Sequence, residues 1–400
     1  MKRNSSVKIS LILLAAVLTG CAPRYFSQKR APEATLIRIA LGRNLSQAVI
    51  RGSDTVSIGD RDHNAVILPG QSWKFLPSAG GLMIHSSQGQ AFGPVSGFAR
   101  IYSKAPFYLN DREFLDPAEI RQASDTGLLL VMETELEKYL LGVVSAEMGS
   151  GRQELEALKA QAVASRSYAF TRIGVAPETG YDIEAGVQHQ AYDGGQQAAS
   201  LIVRAVEETR GQVLTYNGKV IAANFHSTCG GRTALPSEVW QALDERFPFL
   251  KSVKDDHCSI SPRYSWQDTV TAREMLDKLF PNQPQARIRQ VEILGRSNSG
   301  RVQALKVSAE CGDTVLYKDK IRFGLSASPV LSTRFDLKVQ RDEDGFISFI
   351  ILEGLGYGHG VGFCQWGAIG MARAGKNYKR ILNHYYNDVT IEKLYYYFGE

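Results

Sequence analysis

Short runs of alternating hydrophobic and polar residues fill the first part of the chain. From about Thr35 the pattern is β-like: Leu36 to Leu41 alternates, and similar runs recur up to Ile101, separated by turns rich in Gly, Asp and Asn. Strict alternation is typical of half-buried strands. The pattern therefore predicts a small antiparallel β-rich domain over residues 35–124, which acts as a scaffold or a ligand-binding module.

Helical and strand patterns mix in the rest of the chain. Apolar residues spaced three and four apart predict one helix that ends near Glu147 and Met148, and a second from about Gln153 to Thr171. Together these patterns predict a mixed α+β fold, with one larger domain over residues 125–400. Strands are predicted at 128–132, 212–216, 220–225, 303–308 and 346–352.

The first residues have the pattern of an export signal. Three basic residues surround the start of an apolar run over 9–18, which is too short to span a bilayer and suits a signal peptide. Small residues before Cys21 resemble the bacterial lipobox, in which the thiol is acylated and the chain is cut before it. We expect a signal peptide at 1–20, a lipid anchor on Cys21 and a tether over 21–34. An ordinary signal peptide with an incidental cysteine is the alternative.

A lipid anchor would place the protein in the cell envelope. Acyl chains hold a domain at a membrane surface without a spanning helix. Ala22, rather than aspartate, follows the cysteine. In a cell with two membranes this favours the periplasmic side of the outer membrane; otherwise we expect the outer face of the plasma membrane.

Composition and charge exclude several classes of protein. The chain has 400 residues, of which 44% are hydrophobic, and its glycines follow no collagen-like period, which excludes fibrous and disordered proteins. The formal net charge is +5, from 46 Lys and Arg against 41 Asp and Glu. Three of the basic residues lie in the signal segment, so the mature chain is close to neutral. Nothing in this balance indicates nucleic-acid binding.

Five ordered motifs between about 125 and 395 resemble the SpoIID/LytB family. The resemblance implies a mixed α/β core with strand-rich additions. The motifs are EKYLLGVVSAEM at 137–148 with EALKAQAVASRSYA at 156–169, QAYDG at 190–194, FHSTCGGRT at 225–233 with Val239 and Trp240, GYGHGVGFCQWGA at 356–368, and ILNHYY at 381–386.

The same resemblance implies a role at peptidoglycan. The family includes lytic transglycosylases that act on glycan strands stripped of stem peptides, and members thought to enhance a partner amidase. We expect an enzyme, a peptidoglycan lytic transglycosylase. The alternative is a non-catalytic module that binds glycan and stimulates an N-acetylmuramoyl-L-alanine amidase. A more remote alternative is a structural protein of spores or of division.

By that resemblance Glu147 is the catalytic acid. Glycoside hydrolysis normally needs two carboxylates. A transglycosylase needs one, because the C6 hydroxyl of the sugar is the nucleophile and the product has a 1,6-anhydro end. Such an acid needs a raised pKa, which partial burial can supply. The family usually has a proline and an aromatic residue after the Glu-Met pair, where this chain has GSGRQ at 149–153.

Several polar residues at motif positions are candidates for substrate binding. Lys159, Gln161 and Arg166 lie on the second predicted helix and could contact sugar hydroxyl or acetamido groups; a solvated face or an internal salt-bridge network is the alternative. Gln190 and Tyr192 are two apart on an extended segment and so project to the same side. We expect them to line the cleft, against a role in ordinary packing.

The last motif supplies two more candidates, His359 and Gln365. His359 stands among glycines at alternate positions, whose spacing is wrong for a dinucleotide fold and instead suits close approach of the backbone to a ligand or a packed element. A core histidine bonded to backbone is the alternative. Cys364 stands where the family commonly has serine, and could pair with Cys311.

Two histidines and two cysteines have the inventory of a closed zinc site. His226 and Cys229 are three apart, and His257 and Cys258 are adjacent. Some clostridial-type members of the family bind zinc with two His and two Cys in this region, with a different spacing. We expect one structural zinc on these four residues. A disulfide between Cys229 and Cys258 is the first alternative, and buried free thiols are the second.

Overall fold

The computed structural model describes residues 35–52, 56–59, 64–149, 154–186, 189–194 and 198–394. The predicted signal peptide, Cys21 and the tether lie outside these residues, as does most of the GSGRQ segment. These described residues form one compact unit. Within the described part of the chain, no helix has the length and apolar character needed to cross a membrane.

Two sheets make up the N-terminal part of this unit, and their strands pair antiparallel except for one parallel pair, Leu36–Leu45 with Ile183–Glu184. The seven-stranded sheet has the order β13-β1-β12-β11-β8-β3-β4, and the six-stranded sheet has the order β10-β9-β2-β5-β6-β7. In chain order, β1 to β13 are Leu36–Leu45, Ala48–Gly52, Val56–Gly59, Asn64–Ile67, Ser72–Ser78, Gly81–Ser86, Ala91–Val95, Phe98–Ser103, Phe107–Leu109, Arg112–Phe114, Ala118–Ser124, Gly127–Glu135 and Ile183–Glu184.

The two sheets enclose one hydrophobic core, because alternate residues of their strands point inward. Ile37 and Ile39 of one sheet and Phe75 of the other are fully buried in that core. Strand β12 pairs with β11 and with β1, so the predicted domain boundary at 124/125 falls in the turn of a hairpin. The first strands and the start of the predicted second domain thus share a sheet.

The helices build the centre of the unit. The two predicted helices are confirmed as α1 (Leu136–Met148) and α2 (Leu155–Phe170), and α2 is buried along nearly its whole length. Its alanines let α1, α3, α7 and α8 approach closely. In chain order, α1 to α8 are Leu136–Met148, Leu155–Phe170, Ser200–Glu208, Pro236–Val239, Ala272–Leu279, Lys320–Gly324, Gln365–Arg373 and Tyr378–Tyr385.

The remaining strands form small sheets around and after this helical centre. Strand β14 has the predicted bounds, while the strand predicted at 220–225 is in fact two short pieces. Strands β17 to β22 form two three-stranded sheets that cover a third hydrophobic core, separate from the core of the N-terminal sheets and from that of the helical centre. In chain order, β14 to β24 are Gln212–Tyr216, Lys219–Val220, Phe225–His226, Ser265–Thr271, Ile288–Arg296, Val302–Ala309, Gly312–Tyr317, Phe335–Arg341, Ile347–Leu355, Phe363–Cys364 and Thr390–Lys393.

Candidate active site

Glu147 lies in the last turn of α1, at the edge of a cleft. The helix forms because Leu136, Tyr139 and Val143 share one buried face, and it ends where Gly149 adopts a positive φ of 69°. A carboxylate at this end faces the negative pole of the helix dipole. Two hydrogen-bond donors offset this: the Ala191 backbone N–H donates to Oε1 at 2.8 Å, and Gln365 Nε2 donates to Oε2 at 3.0 Å. The side chain is half-buried.

The extended segment around Ala191 is anchored in the core by its two neighbours. Gln190 is fully buried, accepts from the Tyr139 hydroxyl at 3.0 Å and donates to the Ser165 carbonyl at 3.2 Å. Tyr192 is also buried and stacks on Tyr139 with ring centroids 5.2 Å apart. As their spacing predicted, the two side chains project to the same side of the extended segment, but that side faces the core. They hold the Ala191 N–H against Glu147 and do not line the cleft, which corrects the expectation for both.

The opposite wall consists of two parallel strand segments. Strand β16 pairs with β23, with His226 opposite Cys364. Close approach of the neighbouring backbone requires glycine: at Gly362, φ is 72° and a Cβ would stand 2.2 Å from the Asn224 carbonyl oxygen. The glycine-rich motif therefore packs backbone on backbone here and places His359 and Gln365 at the cleft.

His226 and His359 line the cleft as neutral imidazoles. Burial lowers the pKa of His226 well below its usual value, and burial together with the Arg322 and Arg301 guanidiniums lowers the pKa of His359 to about 3. His226 Nδ1 bonds the Val361 carbonyl at 3.1 Å and so carries the proton. Its buried Nε2, an acceptor, has no hydrogen-bond partner among the described residues.

The cleft has a volume of about 550 Å³ and combines aromatic with polar groups. The Trp240 ring lies 5.1 Å from that of His359. Asp319, a second carboxylate in the lining, accepts from Arg322 Nη1 at 3.4 Å, and burial raises its pKa. Other lining residues are Tyr168, His189, Asn224, Ser227, Phe323 and Tyr357.

The three polar residues predicted on α2 lie away from the cleft. Arg166 is fully buried and forms a two-pronged ion pair with Glu137, at 2.9 Å and 2.8 Å. Gln161 is fully buried and donates to the Ser165 hydroxyl at 2.9 Å. Since four helices surround α2, its polar groups point into protein, and the internal-network interpretation replaces that of substrate contact for these two.

Lys159 belongs to the same internal network. Its ammonium contacts Glu156 at 2.9 Å and Glu208 at 2.5 Å, and the side chain is only 12% exposed. It is not among the residues that line the cleft. Lys159 therefore ties α2 to α3 and does not face a substrate.

The predicted metal set does not come together as expected. Within the described residues, the group with ligand atoms close enough for one ion is Cys229, Asp255, Cys258 and Cys364, whose ligand atoms all lie within 4.8 Å of one another. His226 instead faces the cleft, and His257 is outside the group. The Cys229 and Cys258 sulfurs are 3.4 Å apart and unbonded. Cys311 is exposed while Cys364 is buried, so the structure does not bring that pair together.

Comparison with known proteins shows which family the chain resembles. The family model described as Stage II sporulation protein matches residues 124–216, and one for a domain of unknown function (DUF8618) matches 236–362. Stage II sporulation protein D of Bacillus subtilis is 31% identical over 281 residues, 64% of this chain and 74% of its own. An uncharacterized protein of Brachyspira hyodysenteriae is 33% identical over 287 residues, 71% of this chain and 74% of its own.

A third relative carries a different name. The protein named Amidase enhancer, from Bacillus subtilis, is 30% identical over 302 residues, which cover 63% of this chain and 40% of the relative. Taken together, the family model, the identities and their coverage show that the chain belongs to the SpoIID/LytB family.

Some residues of the cleft have no role predicted from the sequence. Trp240 stands in a quoted motif, but its place in the cleft depends on the fold. Arg322 and Phe323 lie in α6 and Asp319 directly precedes it, far along the chain from Glu147. Ala191 contributes a backbone N–H, which no side-chain pattern reveals. Only the packing of the third core against the helical centre brings these groups together.

Proposed function

We propose that the protein is a peptidoglycan lytic transglycosylase that cleaves glycan strands stripped of stem peptides. Family membership supports a role at the cell wall. The observation that carries the finer proposal is the Glu147 carboxylate, held at a cleft wall by one donor on each oxygen. One positioned carboxyl is what a non-hydrolytic cleavage requires.

In the proposed reaction Glu147 acts first as acid and then as base. The Glu147 carboxylic acid gives its proton to the glycosidic oxygen as the bond from that oxygen to C1 breaks. The C6 hydroxyl oxygen of the same sugar bonds to C1, and its proton returns to the Glu147 carboxylate. The products are a free hydroxyl on one fragment and a 1,6-anhydro ring on the other, with no water consumed. Proton transfer by a positioned side chain contributes typically about 10²–10⁴-fold to rate.

The rest of the cleft suits a sugar chain. Its volume of about 550 Å³ lies within the range of ligand sites. Trp240, Phe323 and Tyr357 offer apolar faces for sugar rings. His226 Nε2 has no partner among the described residues, and as an acceptor it can take a hydrogen bond from a sugar hydroxyl.

Asp319 is the residue that a hydrolytic mechanism would use. A hydrolase would need a second carboxylate to activate water or to attack the sugar. The Asp319 carboxylate, however, pairs with Arg322, which is itself 9% exposed. We therefore assign Asp319 to holding Arg322, and the reaction products distinguish the two mechanisms.

The second candidate function is stimulation of an amidase. It is favoured by the similarity to the protein named Amidase enhancer. An enhancer would use the same cleft to hold glycan and would not need Glu147 as an acid. Under either function, the lipobox-like sequence before Cys21 supports a lipid-anchored protein of the cell envelope.

The test is product analysis with the full chain in mild detergent. It is incubated with amidase-stripped glycan strands, in parallel with Glu147→Gln and Asp319→Asn, and the fragments are weighed by mass spectrometry. We expect fragments one water lighter than hydrolysis products, a loss of about 10³-fold or more with Glu147→Gln, and the same anhydro products with Asp319→Asn.

Other products would overturn the proposal. Fragments that carry an added water and vanish with Asp319→Asn would indicate a hydrolase. Intact strands that still bind the protein would exclude the enzyme, and stimulation of an added amidase by wild type and Glu147→Gln alike would establish the enhancer.

A further inference from the structure

Three thiols and one carboxylate meet behind the cleft wall. This Cys–Asp cluster consists of Cys229, Asp255, Cys258 and Cys364, all buried. They come from three separate segments: the loop after β16, residues 255–258 at the start of a short 3-10 helix, and the end of β23. Such convergence of soft ligands in a closed interior is the arrangement of a structural metal site.

We propose that the Cys–Asp cluster binds one zinc ion through three sulfurs and one carboxylate oxygen. Tetrahedral zinc, with Zn–S bonds of about 2.3 Å and Zn–O of about 2.0 Å, holds two sulfurs about 3.8 Å apart and a sulfur and an oxygen about 3.5 Å apart. Cys229 Sγ lies 3.4 Å from Cys258 Sγ and 3.3 Å from Asp255 Oδ2. These two pairs need shifts of only a few tenths of an ångström, and all four ligand atoms lie within 4.8 Å of one another.

Groups around the cluster orient its ligands. The Cys229 and Gly367 backbone N–H groups donate to Cys364 Sγ at 3.3 Å and 3.4 Å, the second at the start of α7. The Tyr385 hydroxyl donates to Asp255 Oδ2 at 3.0 Å, and the His257 backbone N–H donates to Oδ1 at 3.0 Å. Hydrogen bonds of this kind fix the geometry of metal ligands and stabilise their ionised forms.

A buried guanidinium beside the cluster fits the same proposal. Arg301 is fully buried, and its Nε and Nη1 have no hydrogen-bond partner within the described residues. Its Nη2 donates to the Cys229 carbonyl at 3.3 Å, and Arg334 donates to the Gly230 carbonyl. An isolated buried charge is costly. Zinc with three thiolates and a carboxylate carries a net charge of about −2, which these two guanidiniums offset.

The ligand set excludes other occupants. Calcium and magnesium prefer oxygen ligands. In a four-iron cluster each thiolate bonds a different iron, whereas these ligand atoms all lie within 4.8 Å of one another. A disulfide between two of the thiols would need the sulfurs to approach to about 2.05 Å and would leave a buried thiol and a buried carboxylate. Four protein ligands leave no open position, so the zinc is structural.

The proposal is tested by metal content and by cobalt spectra of the full chain in detergent. We expect one zinc per chain by mass spectrometry of the metal. Cobalt(II) in its place should give the intense bands of a tetrahedral site with thiolate charge transfer. Cys364→Ser and Asp255→Asn should each weaken zinc binding about 100-fold or more. Cys311→Ser, an exposed thiol outside the cluster, is the matched control and should change nothing.

Two further variants distinguish the proposal from misfolding and from the histidine set. Asp255→Cys supplies a fourth thiolate, so the charge-transfer intensity per cobalt should rise by about one third, which an unfolded chain does not produce. His257→Asn should keep the zinc. The proposal is overturned if His257→Asn loses zinc while Cys364→Ser keeps it, if the mass of the intact chain shows a disulfide, or if no zinc binds and all three thiols of the cluster react freely.

Discussion

The cleft and the Cys–Asp cluster both use residues in or next to β16 and β23. They differ in whether a ligand can reach their polar groups. In the cleft, Glu147 lines space that a ligand can fill, and His226 Nε2 has no hydrogen-bond partner among the described residues. In the cluster, the ligand atoms of Cys229, Cys258 and Cys364 point at one another inside the core. One region can bind and react, and the other can only hold the chain together.

The boundary between the two regions runs between neighbouring residues. Cys364 ends β23 and turns into the cluster, whereas Gln365 begins α7 and reaches Glu147. In the same way His226 faces the cleft and Cys229 faces the cluster. Because adjacent residues serve different regions, paired substitutions can separate activity from stability.

The largest effect is expected from the neighbouring pair Cys364 and Gln365. Cys364→Ser should lower the free energy of unfolding by about 3–4 kcal/mol when zinc is present at about 1,000 times the wild-type dissociation constant, because binding weakened about 100-fold or more loses most of the linked binding energy. Gln365→Ala should lower kcat about 100-fold, since Glu147 loses a positioning contact, and should keep its zinc. Urea unfolding and strand cleavage measure the two. Equal losses of both properties in both variants would mean that the regions are not separable.

A smaller effect is expected from pH, through the histidines of the cleft. The folded pKa of His359 is about 3, while the unfolded chain titrates near 6.5. Below about pH 6.5 the unfolded state binds protons that the folded state does not. The free energy of unfolding therefore decreases as the pH is lowered. From pH 7 to pH 4.5 this residue should cost about 2–3 kcal/mol. Urea midpoints of His359→Gln should fall less steeply than those of wild type; parallel profiles would contradict the assignment.

The smallest effect is expected at Lys159, which the sequence placed at the substrate. Lys159→Met removes the ion pairs with Glu156 and Glu208 and should cost about 1 kcal/mol of stability or less. The rate of strand cleavage should stay within about twofold of wild type, because the ammonium does not face the cleft. The decisive measurement is KM. A tenfold rise in KM at unchanged stability would show that Lys159 contacts the substrate.

The secondary structure could be predicted from the sequence more completely than the roles of the site residues. The helix ending at Glu147 and the long helix after it were predicted from local spacing, and the structure confirms both. The mixed α+β class was also correct. The polar groups of the second helix were misassigned, because spacing shows that Arg166 shares a face with Lys159 but does not show that other helices cover that face.

The amino-acid sequence by itself determined the features that depend on short-range contacts and on motifs. These are the amphipathic helices, the alternating strands, the glycines near His359 and the family. Tertiary structure alone decided which side of the 190–192 segment meets the cleft, and that Asp255 and Cys364, not the two histidines, join Cys229 and Cys258. The physical reason is that spacing along the chain specifies a face of an element, whereas its partner is chosen by packing between distant segments.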